Sequence, residues 1–227
     1  MNAAKPNPNR LTWQVAFTAL AGLVAATILS LAPPPAGAAE PAALDAALRQ
    51  FQRATAGDEG AIDAAARQFG SLSAAEPGDP VLRAYSGAAT TMRARTTLLP
   101  WRKMSYAEDG LAQIDKALAM LTPGHDAPLH RGTPASLETR FVAANTFLAL
   151  PAMFNRQPRG AKLLDDVLES PRFATSPLPF RGEVWLRAGL QATSGKRVDD
   201  ARRWFGEVIR SGAPQAGVAQ ARLKDLS

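Results

Sequence analysis

The sequence of 227 residues contains no cysteine and only two histidines, His125 and His130. Without cysteine the chain has no disulfide, no thiolate nucleophile and no thiolate metal ligand, and two histidines leave little imidazole for acid–base chemistry. Aromatic residues make up only 7% of the chain, whereas alanine is abundant. This composition favours packed helices over sheets, and it argues against most familiar enzyme classes.

The N-terminal segment predicts export across a membrane. Lys5 and Arg10 precede an apolar stretch, residues 11–32, and a proline run then leads to the small residues Ala36 and Ala38. A basic start, an apolar middle and small residues at the −3 and −1 positions are the layout of a secretory signal peptide.

We expect cleavage after Ala38, with Ala39 as the second choice, so that residues 1–38 are removed and residues 39–227 form a single helical domain. The alternative is an uncleaved inner-membrane anchor, because residues 11–32 approach the roughly 20 residues needed to span a bilayer. Either outcome predicts that the rest of the chain lies in a bacterial periplasm.

The formal net charge of +6 falls to +4 without Lys5 and Arg10, since every acidic residue lies at or beyond Glu40. A basic protein is attracted to anionic surfaces. An exported protein meets phospholipid head groups, anionic glycans and acidic protein faces, so we do not expect nucleic acid as a partner.

Apolar residues recur at helical spacing after the signal segment, as in residues 62–72, 81–92 and 107–121. The sequence Ser105-Tyr106-Ala107-Glu108 has the form of a capping box, which predicts a helix start near Tyr106. Thr133 and Pro134 have the form of a cap and a first-turn proline. Further helices are predicted over residues 44–55, 137–148, 159–169, 180–193, 198–211 and 214–226.

One unit of the sequence resembles a tetratricopeptide repeat. It has an aromatic residue, a glycine four positions later, and an alanine and a phenylalanine on the partner helix, with these residues: Trp185, Gly189, Ala201, Phe205 and Val208. Gly189 and Ala201 would let the two helices approach closely, and Trp185 and Phe205 would fill the space between neighbouring pairs. Weaker copies surround Phe69 and Gly110.

This resemblance implies an all-α fold of eight to nine helices, in which antiparallel hairpins stack as a tetratricopeptide-like right-handed superhelix. Exported bacterial proteins with such folds look similar in the region of Tyr85, Gly87 and the segment Pro100-Trp101-Arg102-Lys103-Met104. That resemblance implies no activity.

Two irregular connections, residues 96–104 and 148–158, each contain Leu-Pro, an aromatic residue and then arginine. We call them the first and second elbow, and stacking of successive hairpins would bring them to one edge. The predicted partner-binding residues are Trp101, Arg102, Lys103, Phe154, Asn155 and Arg156. The alternative is that Trp101 and Phe154 fill gaps left by the elbows.

No set of residues predicts a catalytic centre, a metal site or a cofactor site. His125, Asp126 and His130 lie in a Pro/Gly-rich stretch without zinc-ligand spacing, so a solvent loop is the expectation. The adjacent pair Asp165-Asp166 points in diverging directions on a helix.

We therefore predict a non-enzymatic exported adaptor for another protein of the bacterial cell envelope. One alternative is an enzyme or accessory protein acting on cell-wall glycan, suggested by the compartment and Glu169. Another is a binding protein for an anionic small ligand, suggested by arginines on the first helices of successive pairs: Arg83, Arg93, Arg95, Arg140 and Arg187.

Overall fold

The computed structural model describes residues 41–226. The predicted signal or anchor segment, residues 1–38, lies outside the described residues. The described residues belong to one compact unit. Among the described residues, no helix combines the length and the apolarity needed to cross a membrane.

The described residues are mostly helical, and the predicted all-α class is confirmed. The nine α-helices of this part are α1 Pro41–Thr55, α2 Gly60–Ala75, α3 Pro80–Met92, α4 Pro100–Ala119, α5 Ala135–Ala149, α6 Gln157–Leu168, α7 Leu178–Ser194, α8 Val198–Arg210 and α9 Ala216–Lys224. Short 3-10 helices occupy Arg93–Arg95, Pro123–Asp126 and Ala152–Phe154, and two short strands, β1 Pro128–His130 and β2 Thr133–Pro134, form an antiparallel pair.

The helices pack as hairpins in sequence order. Helix α1 packs on α2, α3 on α4, α5 on α6 and α7 on α8, while α9 covers α8. Helix α3 also packs on α2 and α5, which joins the hairpins to one another. Short connections between packed neighbours make each pair antiparallel.

Aromatic residues occupy the junction of the first two hairpins. Tyr85 of α3 stacks on Phe69 of α2 with a centroid distance of 4.8 Å, and Phe51 of α1 meets both rings edge-on. Such pairs are worth about 0.5–1.5 kcal/mol beyond the burial of their area. The ring of Tyr85 is therefore fixed, and its hydroxyl points away from this cluster toward α5.

Helix α4 begins six residues earlier than the capping-box pattern predicted. It starts at Pro100, which follows an extended Leu99 and takes the first helical position that suits proline. Ser105 lies inside the helix, and its hydroxyl donates to Asp109 at 3.2 Å. The prediction of a start at Tyr106 is wrong because the Leu-Pro signal prevails, and the first elbow is largely helix.

The region before α5 also differs from the prediction. Thr133 and Pro134 form β2, and α5 begins at Ala135, so Pro134 takes the N-cap position instead of the first helical one and no side chain caps the helix. The predicted solvent loop contains the β1–β2 pair, and the side chain of His130 in β1 is only 10% exposed. We call residues 123–134 the β-loop. The other predicted helix bounds differ from the structure by a few residues.

Candidate functional site

The first elbow presents its predicted residues to solvent. Trp101, Arg102 and Lys103 form part of the first turns of α4, and all three are exposed, with Trp101 at 67%. Residues 98–105 are all exposed, and the buried positions of α4 begin at Ala107. The N-terminal end of α4 therefore projects beyond the packed part of the protein.

The second elbow is used mainly for packing. Phe154 is half-buried against the cluster formed by α4 and α5, which includes Leu111 and Phe147. Arg156 forms an ion pair with Asp115 of α4 at 3.1 Å, and its guanidinium lies over the ring of Phe147. These contacts attach the second elbow to α4.

The two elbows do not meet at one point. Arg156 reaches Asp115, which lies fourteen residues after Trp101 along α4. At a rise of 1.5 Å per residue, this separation is about 20 Å of helix axis. Asn155 is exposed and adopts a left-handed backbone with φ of 49°. The structure thus divides the predicted partner-binding residues into an exposed group and a packed group.

The predicted repeat unit lies between α7 and α8. A β-carbon on Gly189 would clash with the ring of Phe205, so glycine is required for this close approach. Ala201, Phe205 and Val208 are fully buried, and Trp185 packs half-buried against their cluster. These five residues hold the fourth hairpin together and face no ligand site.

The residues that suggested a glycan-related function or an anionic ligand lie apart from one another. Glu169 is exposed at the end of α6, beside an open recess that it lines with Arg140 and Asp166. Arg93 pairs with Asp63 of α2 at 2.9 Å, and Arg83 donates to a backbone carbonyl. Arg93 and Arg83 therefore make separate local contacts.

A polar cluster that the sequence did not predict connects α3, α5 and the β-loop. Glu138 of α5 is 2% exposed, and one of its carboxylate oxygens accepts from the Tyr85 hydroxyl at 3.1 Å and from the Arg131 guanidinium at 2.5 Å. Its second oxygen has no hydrogen-bonding partner among the described residues. We call Tyr85, Arg131, Glu138 and the neighbouring Glu183 the Arg131 cluster.

The backbone of the β-loop places Arg131. Arg131 and Gly132 form the turn between β1 and β2, and both have a positive φ, 47° and 73°. A non-glycine residue in this left-handed region stores backbone strain and persists only where the surroundings determine it. Here the buried carboxylate of Glu138 supplies that constraint, while 43% of the Arg131 side chain stays exposed.

The electrostatics of the cluster follow from burial. Burial and the adjacent Glu138 carboxylate raise the pKa of the Tyr85 hydroxyl well above its ordinary value, so the phenol remains a donor. Burial also raises the pKa of Glu183, against the opposing effect of Arg131. Glu183 is nevertheless exposed to solvent.

The neighbouring His130 anchors the β-loop to α3. Its Nε2 lies 2.6 Å from Oδ2 of Asp79, and both side chains are nearly buried. Oδ1 of Asp79 accepts from the backbone N–H groups of Val81 and Leu82 and so caps α3. The hydrogen bond to Asp79 raises the pKa of His130, so the charged imidazole is favoured in the folded protein.

The β-loop also contacts α5 and the connection between α6 and α7. Asp126 accepts from the Ser136 hydroxyl at 2.7 Å and pairs with Arg172 of the α6–α7 connection at 3.1 Å. The loop is thus fastened to three elements, and it holds the half-exposed Arg131 near Glu183 of α7.

The Arg131 cluster can bind but carries no activated nucleophile. It offers one guanidinium, one phenol and two carboxyl groups, which together suit a ligand with both donors and acceptors. In the described part of the chain, no group of three or more potential ligands could hold a metal ion. Tyr85, the Arg131-Gly132 turn and Glu138 are spread over 53 positions and form no local sequence motif. Only the fold brings them together.

Comparison with protein-family models, curated proteins and solved structures finds no match for this chain. The site must therefore be interpreted from its own geometry.

Proposed function

We propose that this chain is a non-enzymatic adaptor of the bacterial cell envelope, exported by its N-terminal segment, which binds another protein through the surface around Arg131. The observation that carries the proposal is the Arg131 side chain, which is 43% exposed while its guanidinium is fixed by the buried Glu138 and Tyr85. A charged group held in place before binding loses little conformational entropy when a partner arrives.

The neighbouring charges define what the partner should offer. Arg131 calls for a carboxylate or a backbone carbonyl, and Glu183 calls for a donor or a cation. An extended segment of a protein presents both kinds of group at the spacing of adjacent residues.

We further propose that the hairpins stack as a tetratricopeptide-like right-handed superhelix. The sequential packing of the hairpins, the contact of α3 with α5, and the close approach of Gly189 to Phe205 support this arrangement. In such a superhelix α3, α5 and α7 would line the inner surface, and Tyr85, Glu138 and Glu183 would share it.

Site-specific photocrosslinking in living cells tests the adaptor function. A photoreactive residue in place of Glu183 should yield one discrete adduct with an envelope protein, and Arg131→Gln in the same chain should reduce that adduct. Lys162, which is 77% exposed on α6, provides the control position and should yield none. Equal or absent adducts at both positions, in a chain that is exported and folded, would contradict the proposal.

A further inference from the structure

The segment at the start of α4 carries four of the eight large apolar side chains that are exposed among the described residues. Leu98 is 93% exposed, Trp101 67%, Leu99 37% and Met104 36%. Trp101 and Met104 are three residues apart and therefore lie on one side of the helix. Leu98 lies just before the start of α4. We call residues 98–104 the α4 tip.

The surroundings of the α4 tip are basic. From Pro80 to Ala107 the sequence contains four arginines and one lysine and no acidic residue. Arg95, Arg102 and Lys103 are exposed, whereas Arg93 pairs with Asp63 and stacks on Tyr106. The tip therefore presents three solvent-exposed cations around its apolar side chains.

The stacked Arg93 also fixes the base of the tip. Its guanidinium lies 4.4 Å from the ring centroid of Tyr106 and donates to Asp63 of α2 at 2.9 Å. Arg93 of the 3-10 turn thus links α4 to α2 just behind the exposed segment. The apolar side chains project from a fixed base.

We propose that the α4 tip inserts into the surface of an anionic phospholipid bilayer. Leucine, methionine and tryptophan gain by leaving water, and tryptophan is favoured at the boundary between head groups and acyl chains. Exposed lysine and arginine are attracted to anionic head groups. A bilayer needs no matching pocket, which suits a projecting tip better than a protein surface would.

This site is separate from the Arg131 cluster and does not depend on the proposed adaptor function. The sequence assigned Trp101, Arg102 and Lys103 to a protein partner. The excess of cations within residues 98–104 and the 93% exposure of Leu98 favour lipid instead, although the exposed Glu108 and Asp109 follow on the next turn of α4.

An environment-sensitive fluorophore can report insertion directly, because the chain has no native cysteine. The full chain is labelled with NBD at Leu98→Cys, or at Met153→Cys as the matched control. Met153 is 74% exposed in the second elbow, where Arg156 and Arg159 are paired with Asp115. Both labelled chains carry the same N-terminal segment, so attachment through that segment affects them equally.

With vesicles of phosphatidylcholine and phosphatidylglycerol, the label at position 98 should shift to the blue and brighten, and the label at 153 should not. Replacing Arg102 and Lys103 by glutamine should lower the ratio of inserted to free tip about fivefold for each charge. Phosphatidylcholine alone should give a much weaker signal. Unchanged circular dichroism of the variants shows that the fold is retained.

Three results would overturn the proposal. The label at 98 could stay in water while the chain sediments with anionic vesicles. It could respond equally with and without anionic lipid, which would mean that the exposed cations do not contribute to insertion. It could respond to envelope proteins and not to vesicles, which would make the tip a protein-binding surface. Loss of the Glu183 photoadduct alone would leave this proposal unaffected.

Discussion

The backbones of Gly87 and Gly110 touch where α3 crosses α4. A β-carbon on Gly110 would lie 2.5 Å from the carbonyl oxygen of Gly87, and a β-carbon on Gly87 would lie 2.7 Å from the carbonyl oxygen of Gly110. Neither helix can carry a larger residue here without separating from the other. The second hairpin thus depends on two residues that contribute no side chain.

Gly110→Ala should therefore destabilise the protein by about 1–3 kcal/mol, the cost of overpacking a close-fitting core. Gly70→Ala is the matched control, because Gly70 lies within α2 and a β-carbon there would meet nothing within 4 Å. It should stabilise the protein by about 0.5–1 kcal/mol through helix propensity. Urea unfolding measures both, and the same sign for the two variants would contradict the close contact.

Tyr85 and Glu138 should be energetically coupled. Tyr85→Phe removes one hydrogen bond to the buried carboxylate and should cost about 1–2 kcal/mol. Glu138→Gln should lower the free energy of unfolding by about 2 kcal/mol. This is less than the cost of breaking a fully buried ion pair, because the half-exposed Arg131 can be hydrated again. In the double variant the loss should fall short of the sum by at least about 0.5 kcal/mol. Strict additivity in denaturant unfolding would mean that the bond contributes nothing.

The His130–Asp79 pair predicts a pH dependence of stability. Because the folded pKa of His130 is raised above 6.5, its stabilisation is complete below pH 6.5 and is lost as the pH rises through the folded pKa. Asp79→Asn keeps an oxygen that can cap α3 but removes the carboxylate. The stability difference between wild type and Asp79→Asn should therefore be largest at low pH and shrink as the pH rises.

Proton NMR checks the same assignment without denaturant. The chain has only two histidines, so the imidazole signal that disappears in His130→Gln is that of His130. Titration of the folded protein should show a midpoint above 6.5 for His130. A midpoint at or below 6.5 would contradict the proposed effect of Asp79.

Two tryptophans should respond differently to truncation. Trp101→Ala should change the free energy of unfolding by less than about 0.5 kcal/mol, because the side chain is 67% exposed. Trp185 meets Phe173 edge-on at 5.7 Å and is half-buried between two core clusters. Trp185→Ala should cost about 2–4 kcal/mol. Thermal unfolding of both variants distinguishes these outcomes.

Helical periodicity predicted most of the helices, because each buries one side against its neighbour and the apolar spacing records that side. The start of α4 was misplaced because the sequence around Ser105 and Glu108 imitates a capping box. The physical competitor was Pro100, which starts a helix well and cannot donate within one. Local patterns can rank such signals only when one of them is clearly stronger.

The Arg131 cluster could not be predicted from the sequence for a different reason. Glu138 occupies the first turn of α5, where an acidic residue is expected to face solvent and favour the helix dipole. Its burial depends on Tyr85, 53 residues away, and on the turn at Arg131. Contacts between distant segments leave no periodic trace, and the short β1–β2 pair lies in a stretch too rich in proline and glycine to predict strands.

The β-loop has a consequence for how the protein unfolds. A linear array of helical hairpins can lose its units one at a time, because each unit touches only its neighbours. Here Asp79–His130 joins α3 to the loop across 51 positions, and Asp126–Arg172 joins the loop to the connection before α7. The middle of the chain should therefore open as one cooperative block, while partial unfolding is confined to the terminal helices α1 and α9.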